Sequence, residues 1–170
     1  MPPVLTQNLL DFVSLIILES AVADCQINMI IRAKIFKVAG GTAGDIKKQK
    51  PLLIPYVPEI ATMHDRTINL SLEHPLLVGD YDVETKSIEW EINRWEKFRF
   101  IRARIQFCPC EPSYDKAIPC LLFFAEASPY HYNPYIIEVI TPKCDLKGVT
   151  EFLIHLAKPC TIVVGDKRVV

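Results

Sequence analysis

Long apolar runs, glycine and early positive charge are all scarce in this chain of 170 residues. No apolar run reaches the roughly 20 residues that a helix needs to cross a bilayer, so no membrane-spanning helix is expected. Three of the six glycines fall in residues 39–50, AGGTAGDIKKQK. Gly40-Gly41-x-x-Gly44 leads into lysines and a proline rather than a helix, which makes it a mobile turn and not a phosphate-binding loop. No Lys or Arg precedes Arg32. The apolar stretch ending in Ala21-Val22-Ala23 therefore lacks the basic start of a secretory signal, and Asp11 interrupts it, so secretion is not expected.

Catalytic and metal-binding spacings are missing as well. There is no G-x-S-x-G elbow for a hydrolase nucleophile. His64 and His74 are ten apart and form no H-x-H pair. Cys108-Pro109-Cys110 with Cys120 and either His131 or His155 offers the right ligand types, but a structural zinc site wants paired C-x2-4-C spacing. The six cysteines (25, 108, 110, 120, 144, 160) are expected to be reduced and mostly buried, since a chain this long and apolar needs no disulfide framework. Neither an enzyme nor a required cofactor is expected.

What is present is apolar. Half the residues are hydrophobic and 23% are charged, which excludes disorder and leaves more apolar surface than a lone monomer wants. A net charge of −1 excludes a globally basic nucleic-acid binder. The charges are segregated. Arg32, Lys34, Lys37, Lys47, Lys48 and Lys50 face only Asp45 over residues 32–50; Glu73, Asp80, Asp82, Glu84, Glu89 and Glu91 face only Lys86 over 73–91. Arg94, Lys97, Arg99, Arg102 and Arg104 then face only Glu96. Patches so arranged are suited to meet across copies of one chain.

Periodicity gives the elements. Residues 8–23, NLLDFVSLIILESAVA, read as an apolar helix capped by Thr6 or Asn8. Residues 26–38 alternate as a strand, Ile31, Ala33 and Ile35 against Arg32 and Lys34. PLLIPYVPEIA (51–61) reads as an extended edge broken by prolines. Strands are expected at 67–72 and 75–78, and residues 81–90 alternate loosely. Residues 87–95 fit a helix face through Ile88, Ile92 and Trp95 or a strand face through Ile88, Trp90 and Ile92; a short helix is preferred. In the next strand Ile101, Ala103, Ile105 and Phe107 alternate with Arg102, Arg104 and Gln106, while Phe98 and Phe100 fall out of phase. Either a bulge lies near Phe100 and Ile101, or both faces are covered there. After a Cys/Pro loop come apolar strands at 121–125, 134–142, 150–157 and 161–164. With 13 prolines and evenly spaced short runs, the chain is expected to be an all-β sandwich or barrel with one N-terminal helix.

Two polar features are candidates for function. The arginines Arg99, Arg102 and Arg104 offer bidentate contacts to carboxylate or phosphate. Asp80, Asp82 and Glu84 place three carboxylates along an extended segment, suited to calcium or to an arginine of another subunit.

The succession of a short helix, Trp95-Glu96-Lys97-Phe98-Arg99-Phe100, a long strand through Phe107, a loop at Pro109–Pro119 and an apolar strand at Leu121–Glu126 resembles the jelly-roll coat proteins of small icosahedral RNA viruses. The resemblance covers about 35 of the 170 residues. It implies a mainly β, eight-stranded antiparallel β-sandwich (jelly roll), self-assembly with copies of itself and other coat proteins, and enclosure of viral RNA. It also implies, in some members, calcium at subunit contacts. The chain departs from the family in having no basic N-terminal arm, which shifts genome contact to residues 32–50.

The sequence thus predicts an N-terminal apolar helix or arm at 1–25 and a single jelly-roll domain at 26–170. The expected function is that of a viral capsid subunit, located in the virion and assembled in the host cytoplasm, with no membrane partner. Arg99, Arg102 and Arg104 against Asp80, Asp82 and Glu84 are the expected subunit interface, and Lys47, Lys48 and Lys50 the expected RNA contacts. The alternatives are a nucleic-acid-binding accessory or movement-type β-protein, and a small ligand- or metal-binding β-barrel.

Overall fold

The computed structural model describes residues 29–36, 46–107, 113, 115–144, 146–157, 161–164 and 167–169. The expected N-terminal helix at 8–23, the glycine turn at 40–44 and Cys25, Cys108, Cys110 and Cys160 lie outside the described residues. The strands, in chain order, are β1 (Met29–Ile35), β2 (Ile68–Leu72), β3 (Leu76–Leu77), β4 (Val83–Glu84), β5 (Ile88–Glu91) and β6 (Arg94–Glu96). They continue with β7 (Phe98–Phe107), β8 (Ile118–Ala125), β9 (Ile136–Ile140), β10 (Glu151–Leu156), β11 (Thr161–Val164) and β12 (Lys167–Val169). Between β1 and β2 stand helix α1 (Lys50–Leu53) and a 3-10 turn (Pro58–Thr62).

The protein is mainly β. Neighbouring strands follow the order β10-β1-β2-β9-β8-β7, and β7 pairs with β10 again, closing a six-stranded antiparallel barrel. β7, β8 and β9 are successive neighbours, after which the chain returns to insert β10 between β7 and β1. Closure satisfies the backbone groups that an open edge would leave bare. β3, β11 and β12 form a separate three-stranded sheet, and β5 and β6 a hairpin.

The ten-residue β7 is the seam. Its pairing with β8 runs from Phe98↔Ala125 to Ile105↔Ile118 without a register shift. The phase change at Phe100 and Ile101 is therefore no bulge; both faces of the strand are buried. Ile101, Ala103 and Ile105 point into the barrel with Ile31, Leu70, Val139 and Ile154. Phe98 and Phe100 point outward with Leu121, Phe123 and Ile140, where Leu53, Val57, Ile60 and Met63 cover them. On its other edge β7 is shared: Arg99 and Phe100 pair with β4, and residues from Ala103 to Phe107 pair with β10.

The covering segment corrects one expectation. Residues 51–61 are not an extended edge but a helical cap. Pro51 and Pro58 each sit in the first turn of their helical element, where the missing N–H has no intrahelical acceptor to lose. Residues 87–95 are likewise not a helix. They form the β5–β6 hairpin, turned by Asn93 at φ 61, a left-handed conformation that asparagine tolerates better than most side chains.

Candidate functional site

The acidic and arginine-rich stretches do meet, but within one chain. β4 pairing against the start of β7 sets Arg99 Nε 2.5 Å from Glu84 Oε2 and Arg99 Nη2 3.4 Å from Glu126 Oε1, with the guanidinium over the Tyr81 ring. The hydrogen bond from Arg99 holds the Glu84 carboxyl below its ordinary range. Asp82 accepts the backbone N–H of Arg102 at 2.7 Å. The Arg102 side chain reaches instead to Glu59 of the 3-10 turn, 2.5 Å away. Burial pushes the Glu59 carboxyl upward, but the Arg102 hydrogen bond, a backbone hydrogen bond and the Arg102 charge together outweigh it, and the net shift is downward. Arg104 donates to the Ala117 carbonyl. Strand alternation also splits the trio: Arg102 and Arg104 share the outward face with Phe100, and Arg99 lies on the opposite one. Asp80 is exposed beyond the end of β4.

The lysines expected to face RNA are partly engaged. Lys48 pairs with Glu91 of the hairpin at 2.9 Å. Lys50 donates to the Met63 carbonyl at 2.6 Å and to Asp65 at 2.8 Å, which ties α1 to the end of the cap. Lys47 is exposed.

Metal chemistry finds no cluster: no group of three or more His, Cys, Asp or Glu is placed to hold an ion among the described residues. Cys120 points into the barrel core, where burial raises its thiol pKa far above the ordinary value. His155 lies one face away, on the outside of β10, with Nε2 3.3 Å from Gln106 Oε1. Burial, aided by Arg104, lowers its pKa. The two candidate ligands are thus separated by the sheet itself.

The feature that periodicity did not reveal lies beside the hairpin. The loop between β8 and β9 folds back over the outer face of β9, and two buried carboxylates fasten it. Glu138 is 9% exposed; its Oε2 accepts the Ser128 hydroxyl at 2.5 Å and its Oε1 the Thr67 hydroxyl at 3.2 Å. Glu96 is 4% exposed; it accepts the Ala127 N–H at 2.6 Å and the Trp90 indole N–H at 3.0 Å. Burial, offset in part by those hydroxyls and reinforced by Glu96, raises the Glu138 pKa. A cavity of about 590 Å³ opens here, bounded by both tryptophans, Glu96, Glu138, Ser128 and Pro129.

Large side chains stand exposed on the hairpin and on the β8–β9 loop. Ile92 at the hairpin tip is 85% exposed and Trp95 63%, and the same β8–β9 loop carries Tyr132 at 92%. The lone acids at 96 and 138 gave no sequence signal because each sits in an ordinary strand pattern, and only the fold brings them to one cavity. No protein-family model matches the chain, and no curated protein matches it either.

Proposed function

We propose that this chain is a structural subunit that associates with copies of itself, of the kind that builds a viral coat. The observation that supports the reading is the β5–β6 hairpin. Its charged groups are satisfied locally, Glu91 by Lys48 and Arg94, Glu89 by the Asn93 N–H, while Ile92 and Trp95 stand in solvent. A hairpin that neutralises its charges and exposes its large apolar side chains is built to be covered.

Because Arg99 and Arg102 already pair with Glu84 and Glu59 inside the chain, association on this reading rests on apolar contact and not on charge. It therefore persists when salt is raised. A jelly roll is the finer form of this proposal; it requires two facing sheets, for which the six barrel strands supply most of the material. Genome contact, on the same reading, falls to Lys47 and Lys48.

Sedimentation of the full chain across protein concentration, at low and high salt, with electron microscopy of the product, tests this. Oligomers or shells that survive high salt, and that Ile92→Ser with Trp95→Ser reduces to monomer, support it. A wild-type chain that stays monomeric at high concentration overturns it.

A further inference from the structure

The cavity beneath the β8–β9 loop has a chemical bias of its own. Its walls are indole and hydrocarbon: Trp90 and Trp95 on the hairpin side, Phe123 and Pro129 opposite. Its buried charged side chains are acidic. Glu96 and Glu138 bring two carboxylates to it.

Neither carboxylate has an ion-pair partner among the described residues. Arg94, at the rim, is committed to Glu91 at 3.0 Å and already stacks on Trp90, its guanidinium 5.3 Å from the ring centre. Each carboxylate oxygen uses one lone pair on its present donor and keeps another. Acceptors without a cation, flanked by aromatic side chains, call for a donor that is positively charged and carries hydrocarbon. A divalent metal suits the cavity poorly, since it wants six or more oxygens and no indole.

We propose that this cavity binds a guanidinium or alkylammonium group on an alkyl stem, with Glu138 and Glu96 pairing the charge and Trp90 and Trp95 flanking it. The group can belong to a free small molecule or to a basic side chain of a second copy of the chain.

Trp90 and Trp95 are the chain's only two tryptophans, so intrinsic fluorescence of the full-length protein reads the site directly. The probes are butylguanidinium and its neutral counterpart butylurea. A saturable change with the cation and none with the urea is expected. Glu138→Gln, which keeps the partner hydroxyls bonded, weakens the cation about tenfold or more with an unchanged circular dichroism spectrum. Glu96→Gln serves as a second variant should the first fail to fold. No saturable response, an equal response to butylurea, or wild-type affinity in a folded Glu→Gln variant overturns the proposal. Sedimentation with and without butylguanidinium separates the sources: the probe dissociates an oligomer if a second copy supplies the cation, and leaves the mass unchanged if a free molecule does.

Discussion

Arg102 Nε lies 2.5 Å from Glu59 Oε1, and that pair joins the outer face of the barrel to its helical cap. An arginine that the sequence assigns to an interface between subunits is thereby an internal tie. Because both side chains are partly exposed, the pair is screened and contributes less than about 1 kcal/mol. Glu59→Gln is expected to lower stability by that amount at neutral pH. The carboxyl is held below its ordinary range, so its contribution is present above the unfolded pKa and lost as pH falls through the folded one. Urea midpoints of wild type and variant should differ at neutral pH and converge in acid. A constant difference at every pH would remove the ion pair from the account.

The two buried faces of β7 make separable predictions. Phe100 and Ile105 are both fully buried, the first under the cap and the second inside the barrel. Phe100→Ala leaves a void against Phe123 and costs about 3–5 kcal/mol; Ile105→Ala costs about 2–5 kcal/mol. Hydrogen exchange distinguishes them. Phe100→Ala should loosen the amides between Ile46 and Met63 while β1 and β10 stay protected. Ile105→Ala should loosen the barrel strands. Equal loss of protection in both regions from both variants would show one core rather than two.

Much of this architecture was legible in the residues. Clean alternation located β1 and β2, an apolar run located β10, and the continuous apolar run of β8 gave away a strand covered on both sides. The phase change in FRFIRARIQF announced two cores, though only pairing could choose between a bulge and burial. Prolines misled at residues 51–61, because a proline in a first helical turn and a proline at a sheet edge look alike in sequence. Residues 87–95 misled for a different reason. Ile88, Ile92 and Trp95 keep helical spacing, yet two of the three are solvent-exposed, so that spacing reflects no buried helix face. The carboxylate cavity could not be read at all, since Glu96 and Glu138 meet through a loop that joins strands far along the chain.

The hairpin turn offers a direct conformational test. Asn93 adopts φ 61 and its N–H donates to Glu89 Oε1 at 3.0 Å. Asn93→Gly preserves both features and is expected to leave thermal stability almost unchanged. Asn93→Val forces a β-branched side chain into the left-handed region and costs about 1–2 kcal/mol. Because the turn positions Trp95, the valine variant should also red-shift tryptophan emission. Equal melting of the two variants would mean that the turn is not left-handed in solution.

Glu138 ties the pH dependence of stability to the β8–β9 loop. Burial raises its pKa, Ser128 from the loop and Thr67 from before β2 oppose that rise through hydrogen bonds, and Glu96 from the hairpin adds to it. A carboxyl whose pKa is higher folded than unfolded stabilises the fold most when protonated. Its contribution is complete below the ordinary carboxylate range and fades as pH climbs through the folded value. Glutamine stays neutral throughout, so Glu138→Gln should gain on wild type as pH rises, by up to about 1.4 kcal/mol per pH unit inside that window. His155 titrates in both proteins, lowered by burial and Arg104, and cancels in the difference. Urea denaturation from about pH 4 to about pH 8 measures it. A variant that instead loses stability relative to wild type as pH rises would mean that the charged form of Glu138 is the one the fold prefers, and that a cation sits beside it.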